Sequence, residues 1–348
     1  MTNGRPLAIS MGEPAGIGTE LLYKAYRQLR TSGQPFYTID DADRLNALPD
    51  VLNSGVRAIT IDTPADAFRV FSEGLPVLSL PEPVRRSLEA VTLGSPKAAT
   101  AQAVTASIEA GVEACAKGEA SALVTLPIQK SALQEAGFPF PGHTEFLGEL
   151  TVHLPLPEGS TRGPVMMLAA DHFRTVPVTV HIPIGGVAGA LTQELIVERG
   201  LVTAQALARD FGISAPRLAI AGLNPHAGED GRMGTEDRDV ITPAIRALRA
   251  AGVNAFGPVP ADTMFHAEAR EKYDAALAMY HDQALIPIKT IAFHDAVNVT
   301  IGLPIIRTSP DHGTGLDIAG QGIARPDSLI ASIRMAAAMA EARGSSSA

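Results

Sequence analysis

Histidines and carboxylates that follow short apolar runs are the side chains of this sequence best suited to chemistry. His226 lies in the loop "GLNPHAGEDGRMG", and His281 follows the run "AMY" with Asp282 beside it. A neutral imidazole is an acid–base group and a metal ligand, and a neighbouring carboxylate orients it. His181 closes the run "VPVTVHIPI", 45 residues before His226, and His281 follows 55 residues later. These spacings exclude a short-spaced local metal motif. A structural, hydrogen-bonded imidazole remains the alternative for each histidine.

A second group of side chains is suited to binding an anion. Lys289 in "IPIKT" and Arg307 in "PIIRTS" each end an apolar run, where a cation is costly unless an anion accompanies it. Pairing with a neighbouring carboxylate is the alternative for each, but two such cations favour a phosphate or carboxylate pocket. The other anion-binding candidates are His143, Thr144 and Asn298.

Two carboxylates are candidates to orient the histidines or to transfer a proton: Asp282, and Asp262 in "PVPADTMF". Asp262 is equally suited to a turn, because "ADT" has the residue types that turns favour. The residues alone do not rank the two.

The opening segment "LAISMGEPAGIGTELL" (residues 7–22) predicts a strand, a glycine-rich loop and a helix. That order is typical of loops that bind a phosphate at a helix N-terminus. The glycine spacing is G-x-x-x-G-x-G, however, and the loop lacks the lysine of a P-loop. A nucleotide site and a tight turn both remain open at this point.

The composition indicates a globular protein. Of 348 residues, 46% are hydrophobic and 19% charged, and the formal net charge of −9 argues against nucleic acid as a partner. The single cysteine excludes an internal disulfide. No apolar run is long enough for a membrane helix and the N-terminus does not resemble a signal peptide, so we expect no membrane association and a cytoplasmic protein.

Short apolar runs alternate with alanine-rich stretches, which predicts an α/β fold with a largely parallel sheet. Helices are expected at 97–117, about 191–211, 238–251 and 328–342. The segment "LPLPEGSTRGP" (154–164) is either a domain joint or a surface loop. Polar turns follow many of the apolar runs, and ligand sites form at the carboxyl ends of strands in open α/β sheets, so the pattern favours an enzyme.

In order along the chain, these turns resemble the 4-hydroxythreonine-4-phosphate dehydrogenase family of pyridoxal phosphate biosynthesis. The segments that carry the resemblance are "GEPAGIGTE", "GFPFPGHTE", "GLNPHAGEDGRMGTED", "GPVPADTMF", "AMYHDQALIPIK" and "VNVTIGLPIIRTSPDHGTGLDIAG". The resemblance implies two α/β/α domains flanking a cleft, in an isocitrate/isopropylmalate dehydrogenase-like fold that is not a Rossmann fold. It also implies a homodimer whose active sites are shared between subunits. We expect a discontinuous first domain, 1–140 plus 300–348, and a second domain, 141–299, with approximate boundaries.

The resemblance also implies roles for particular residues. A divalent metal (zinc, cobalt or magnesium) would be held by His181, His226 and His281, although His172 lies near the first of them. The substrate-binding residues would be His143, Thr144, Lys289, Asn298 and Arg307. NAD or NADP would bind the segment "DHGTGLDIAGQGIARP" (311–326), with His312, Gly313, Asp317 and Gly16 as candidate contacts.

The implied reaction is oxidation of 4-phosphohydroxy-L-threonine at C3, followed by loss of CO₂. Threonate or erythronate 4-phosphate is the nearest alternative substrate. A phosphotransacylase of the same fold and a non-catalytic metabolite-binding protein are alternatives from other classes. In the dehydrogenase reading the partner is a phosphorylated small molecule.

Overall fold

The computed structural model describes residues 4–31, 34–48, 55–89, 91–171 and 173–346. The chain divides into two compact units: Met1–Pro155 together with Pro304–Ala348, and Leu156–Leu303. No helix within the described residues is long and apolar enough to cross a membrane.

The described strands and helices alternate along much of the chain. The strands are β1 (Leu7–Ser10), β2 (Phe36–Asp40), β3 (Ala58–Ile61), β4 (Leu75–Ser79), β5 (Leu123–Thr125), β6 (Val165–Ala170), β7 (Phe173–Pro177), β8 (Arg217–Ala221), β9 (Asn254–Val259), β10 (Ala275–Ala278), β11 (Val297–Ile301) and β12 (Arg307–Pro310). The α-helices are α1 (Gly18–Leu29), α2 (Ala42–Asn46), α3 (Ala67–Val70), α4 (Glu82–Arg85), α5 (Ala101–Ala116), α6 (Lys130–Glu135), α7 (His143–Leu150), α8 (Val187–Ala190), α9 (Gln193–Phe211), α10 (Thr242–Ala250), α11 (Ala267–Arg270), α12 (His281–Ala292) and α13 (Asp327–Ser346).

In the first unit the strand order is β3-β4-β2-β1-β5-β12, and every pair is parallel. β1 is wholly buried and nearly all apolar, as expected of a parallel strand covered on both faces. α5 packs on β1, β2 and β5, and α13 packs on β12, β5 and β1. The parallel pairing brings the carboxyl ends of these strands, and the loops that follow them, to one edge.

In the second unit the order is β11-β6-β7-β10-β8-β9. β6 runs antiparallel to both β11 and β7, whereas β7, β10, β8 and β9 are mutually parallel. α12 packs against β7, β10 and β6, where Leu285 and Ile288 join a buried cluster that includes Leu168 and Phe173. The four parallel strands therefore also end at one edge.

The helices form close to the predicted segments, but the boundary between the units differs from the predicted domain boundaries. The chain passes between units at 155/156 and 303/304 rather than at 140/141 and 299/300. The first crossing lies inside the proline- and glycine-rich segment 154–164. The residues between 141 and 155 belong to the first unit because α7 packs against α5.

The two cations that end apolar runs lie in different kinds of element, and only Arg307 is at the end of a strand. Lys289 lies inside α12, because the apolar residues of 281–292 bury one face of a helix despite Pro287. Arg307 is the first residue of β12, where it pairs in register with Leu123 of β5. Lys289 differs from Arg307 because a short apolar run is compatible with a strand or with a buried helix segment.

The opening glycine loop follows β1 and leads into α1, as predicted. Its glycines allow a close approach between backbones. A Cβ atom on Gly16 would lie 2.6 Å from the carbonyl oxygen of Thr314. The amide of Ile17 donates to that same carbonyl at 2.9 Å. Gly16 is thus required where the loop after β1 packs on the loop after β12.

We predict that Gly16→Ala lowers the free energy of unfolding by about 1–3 kcal/mol, the usual cost of overpacking a buried position. Urea unfolding followed by circular dichroism measures this change. Gly313→Ala is the matched control in the contacting loop, since a Cβ at Gly313 would meet nothing within 4 Å. Equal losses in the two variants would contradict the packing role of Gly16.

Candidate active site

In the second unit, four of the predicted site residues follow the carboxyl ends of the four adjacent parallel strands. His181 comes after β7, His281 after β10, His226 after β8, and Asp262 after β9. Parallel strands that share an edge bring their following loops together, which is where ligands bind in open α/β sheets. The fold therefore collects these residues from segments far apart in sequence.

Two of the three predicted metal ligands are neighbours. The ring centroids of His181 and His281 are 5.8 Å apart, and both rings line a pocket of about 200 Å³ with Tyr280 and Asp282. The Nδ1 atom of His281 donates to Oδ1 of Asp282 at 2.7 Å. That hydrogen bond holds the tautomer in which Nε2 is free to accept a proton or a metal ion.

His226 lies exposed in the loop Pro225–Gly231. This loop packs against the turn Ala261–Thr263, which carries Asp262. Within the described ranges, no group of three or more His, Cys, Asp or Glu side chains is close enough to hold a metal ion. The structure thus brings His181 and His281 together and leaves His226 outside a formed cluster. His172 falls outside the described residues.

The separation of the two imidazole rings is close to that of two histidines on one divalent ion. Two imidazoles that bind one ion through nitrogens about 2.0–2.1 Å away, at a tetrahedral angle, have centroids about 5 Å apart. The observed 5.8 Å separation of His181 and His281 is near this value. Support of a ligating histidine by a carboxylate, as Asp282 supports His281, is common at metal sites.

In the first unit, His143 and Thr144 begin α7. The aromatic rings of Phe138, Phe140 and Phe146 pack together, with ring centroids 5.0–5.3 Å apart, and so fix the start of this helix. His143 Nε2 is buried and has no hydrogen-bond partner in the described parts of the chain. Burial, reinforced by the charges of Arg307 and Lys130, holds the pKa of His143 well below its usual value. The imidazole is therefore neutral at pH 7.

Arg307 is 3% exposed. Its Nη2 and Nε atoms donate to the Thr125 hydroxyl, at 2.6 and 3.1 Å. Burial lowers the pKa of Arg307 to about 9, so the guanidinium stays charged at neutral pH. A desolvated cation held by a hydroxyl group is suited to bind a phosphate or a carboxylate.

Lys289 and Asn298, the two predicted substrate residues of the second unit, lie on α12 and β11 and are both half-buried. The Oδ1 atom of Asn298 is buried and makes no hydrogen bond among the described residues. Buried polar atoms are nearly always paired in native proteins. Asn298 and His143 thus each present a buried atom that a ligand would satisfy.

The predicted cofactor residues meet in the first unit. Gly16 touches Thr314, next to Gly313, and the exposed residues His312 and Asp317 lie on the same loop. The His312 imidazole donates from Nδ1 to the carbonyl of Gly313 at 2.9 Å. The structure therefore packs the glycine loop, in which Gly16 is buried, against the 312–317 loop.

Comparison with known proteins identifies the family. The sequence profile of the family described as pyridoxal phosphate biosynthetic protein PdxA matches residues 33–336. The chain belongs to the PdxA family. It is 54% identical to a 4-hydroxythreonine-4-phosphate dehydrogenase of Caulobacter vibrioides, over 98% of this chain and 99% of the relative.

Solved structures agree with this membership of the PdxA family. A 4-hydroxythreonine-4-phosphate dehydrogenase from Klebsiella pneumoniae superposes with a TM-score of 0.85 and 35% identity, covering 97% of this chain and 98% of that one. A terephthalate 1,2-cis-dihydrodiol dehydrogenase from Burkholderia xenovorans superposes with a TM-score of 0.63 and 28% identity, covering 96% of this chain and 98% of that one. The predicted fold class, isocitrate/isopropylmalate dehydrogenase-like, is confirmed. As a PdxA family member the chain is a dehydrogenase, and a dehydrogenase implies a nicotinamide cofactor.

Sequence reasoning overlooked residues that shape the site of this PdxA family member. Lys130, in "TLPIQK", lies beside the start of α7 and contributes to the low pKa of His143. Thr125 holds the Arg307 guanidinium. Thr125 ends β5 and Lys130 begins α6, on either side of the turn after an apolar run. That polar turn was the available signal, but nothing in the sequence shows which elements these residues contact.

We predict that the pKa of His143 lies well below 6.5 and that Lys130→Met raises it, since removing a nearby positive charge favours the protonated imidazole. Histidine-selective NMR titration measures both values. Lys117→Met is the control, because Lys117 is exposed and paired with Glu113 at 2.6 Å. A His143 pKa at or above 6.5 would contradict the burial described above.

The same shift has a consequence for stability. The folded state binds fewer protons at His143 than the unfolded state does when pH falls below about 6.5. Stability contributed by the neutral imidazole is therefore complete above that pH and is lost as pH falls. In urea titrations between pH 7 and 5, His143→Gln should lose less stability than the parent protein.

Proposed function

We propose that this chain catalyses the NAD- or NADP-dependent oxidation of 4-phosphohydroxy-L-threonine at C3, with a divalent metal. The product, 2-amino-3-oxo-4-phosphooxybutanoate, is a β-keto acid that loses CO₂ to give 3-amino-2-oxopropyl phosphate. The observation that carries the proposal is similarity over nearly the whole chain to proteins named 4-hydroxythreonine-4-phosphate dehydrogenase. Two of them are 54% and 49% identical to this chain. In this scheme the chain acts in pyridoxal phosphate biosynthesis.

The substrate is assigned to the five predicted binding residues. Arg307 supplies a buried positive charge, and the neutral His143 supplies a hydrogen bond from a preorganised ring. Asn298 supplies a buried amide oxygen, which suits the substrate amino or hydroxyl group. Thr144 and Lys289 complete the set. Fixed contacts at the phosphate and the carboxylate orient C3, and orientation of this kind lowers the barrier to reaction.

The metal is assigned to His181, His226 and His281. When bound, a divalent ion lowers the pKa of a substrate hydroxyl and stabilises developing negative charge on its oxygen. Asp282 holds the His281 ring in the tautomer that presents Nε2. We therefore assign Asp282 to orientation of His281. Asp262, exposed in the turn beside the His226 loop, is assigned to proton exchange with solvent.

The cofactor is assigned to the exposed residues His312, Gly313 and Asp317, together with Gly16 in the loop that packs on the same segment. Asp317 is exposed, so its carboxylate is available to accept hydrogen bonds from ribose hydroxyl groups. Gly16 is already closely packed on Thr314. Most of the dinucleotide contacts are therefore assigned to the 312–317 loop, and Gly16 is the one contact assigned to the opening glycine loop.

We also propose a homodimer with shared active sites. Large apolar side chains are exposed on the segments that follow the histidine pair: Ile184 is 70% exposed, Ile286 on α12 is 63% exposed, and Phe293, just after the end of α12, is 69% exposed. Ile184 lines the same pocket as His181, and Ile286 lies on α12 after His281. Apolar side chains exposed together on one region of a protein typically mark an interface.

The reaction predicts metal-dependent formation of the reduced nicotinamide, which absorbs at 340 nm. Protein stripped with a chelator should be inactive on 4-phosphohydroxy-L-threonine with NAD or NADP, and zinc, cobalt or magnesium should restore activity. His281→Ala should remain inactive after metal is added. Full activity of metal-free protein would contradict the scheme.

Parallel assays with threonate and erythronate 4-phosphate identify the preferred substrate, and a phosphotransacylase would give no absorbance change.

Shared active sites predict complementation between inactive variants. His143→Ala should be mixed pairwise with His181→Ala and with His226→Ala, and the subunits exchanged. If the two replaced residues belong to different subunits of one active site, each mixed dimer has one intact site and one doubly altered site. Random exchange makes about half of the dimers mixed, so about a quarter of the parental activity should return. Each variant alone is the control. No recovery in either pair, or a monomeric mass by light scattering, would overturn the shared dimer.

A further inference from the structure

The backbone of the second unit is strained at the segments that carry two of the proposed ligands. Six non-glycine residues in the described chain have a positive φ, and five of them lie at His181 or in the His226 loop. His226 has φ 53° and begins a run of left-handed residues that continues through Asp230. Each such residue costs about 1–2 kcal/mol. A conformation of this kind persists only where the surrounding structure holds it.

Asp237 is hydrogen-bonded to the start of the His226 loop. Its carboxylate is 2% exposed and accepts from the amide of Leu223 at 2.9 Å and the amide of Asn224 at 3.1 Å. It also accepts from the Asn224 side-chain amide at 3.0 Å. Gly228, inside the left-handed run, packs on the same side chain: a Cβ there would lie 3.2 Å from Asp237 Cβ. One buried carboxylate thus fixes both the entry and the middle of the loop.

Gln283 joins this loop to the His281 segment. Its Oε1 atom accepts from the Met279 amide at 2.6 Å, and its Nε2 atom donates to the Gly222 carbonyl at 2.9 Å. Met279 immediately follows β10 and Gly222 immediately follows β8. The side chain is 8% exposed. A single buried amide therefore sets the spacing between the segments that lead to His281 and to His226.

We propose that Asp237 and Gln283 are positioning residues for the metal: they hold the His226 loop in its left-handed conformation and fix it relative to His281. Neither is among the proposed ligands, so both act through the histidines. This inference rests on the metal assignment in the proposed function. Residues that orient ligands typically change metal affinity by 10–100-fold when replaced.

The test is the affinity of the metal-free protein for Zn²⁺, measured by competition with a chromophoric chelator, together with the urea midpoint without metal. Asp237→Asn removes acceptor capacity, and Gln283→Met removes both hydrogen bonds at nearly constant length. Each should weaken Zn²⁺ binding by about tenfold or more. Gln283→Met tests the inference by itself if Asp237→Asn does not fold.

Asp274→Asn is the matched control. Asp274 accepts from the Arg217 amide at 2.7 Å and so joins the opposite, amino ends of β8 and β10. Asp274→Asn should lower the urea midpoint and leave Zn²⁺ affinity unchanged. The positioning role would be overturned if Asp274→Asn weakened Zn²⁺ binding as much as Asp237→Asn and Gln283→Met do. It would also be overturned if neither Asp237→Asn nor Gln283→Met changed the Zn²⁺ affinity.

One further variant separates this inference from the metal assignment. His226→Ala must weaken Zn²⁺ binding in the parent background if His226 is a ligand. Loss of affinity in His226→Ala without loss in Asp237→Asn and Gln283→Met overturns only the positioning role. No loss in His226→Ala overturns the assignment of His226 to the metal, and the positioning role with it.

Discussion

Parallel pairing of neighbouring strands is the constraint on which the rest of this structure depends. In each unit, parallel strands share an edge where their carboxyl ends lie together, and the following loops are forced to be neighbours. His181, His226, His281 and Asp262 come from four loops because β7, β8, β10 and β9 are adjacent and parallel. In the first unit the same constraint packs the loop after β1 on the loop after β12.

Buried polar groups then give these loops their chemistry. Burial makes His143 a neutral imidazole and makes Arg307 a desolvated cation. The surrounding sheet and helices exclude water, while individual hydroxyls, amides and carboxylates hold the functional groups in place. Thr125 does this for Arg307, and Asp282 does it for His281. Such groups are costly to bury unpaired, so each partner contributes both to stability and to geometry.

Acidic residues near strand ends show how easily a role is misjudged without the fold. Asp40 ends β2 and Asp41 follows it, about 20 residues after the opening glycine loop, where a dinucleotide-binding fold places its ribose-binding acid. The Asp40 carboxylate is instead buried in an ion pair with Arg44, 2.6 Å between Oδ2 and Nη2. Asp41 accepts from the amides of Asp43 and Arg44 and caps α2. Both carboxylates therefore have structural roles, in agreement with a fold that is not a Rossmann fold.

The sequence by itself determined the class of fold, the approximate helices, and most of the side chains considered for the site. These follow from local properties: apolar periodicity, turn residues, and histidines or cations after apolar runs. Only the tertiary structure decided that Lys289 lies in a helix, that 141–155 belong to the first unit, and which atoms are buried. It also decided that Asp237, Gln283 and Thr125 support the site. The physical reason is that burial and hydrogen bonding join residues far apart in the chain, and local pattern carries no information about those contacts.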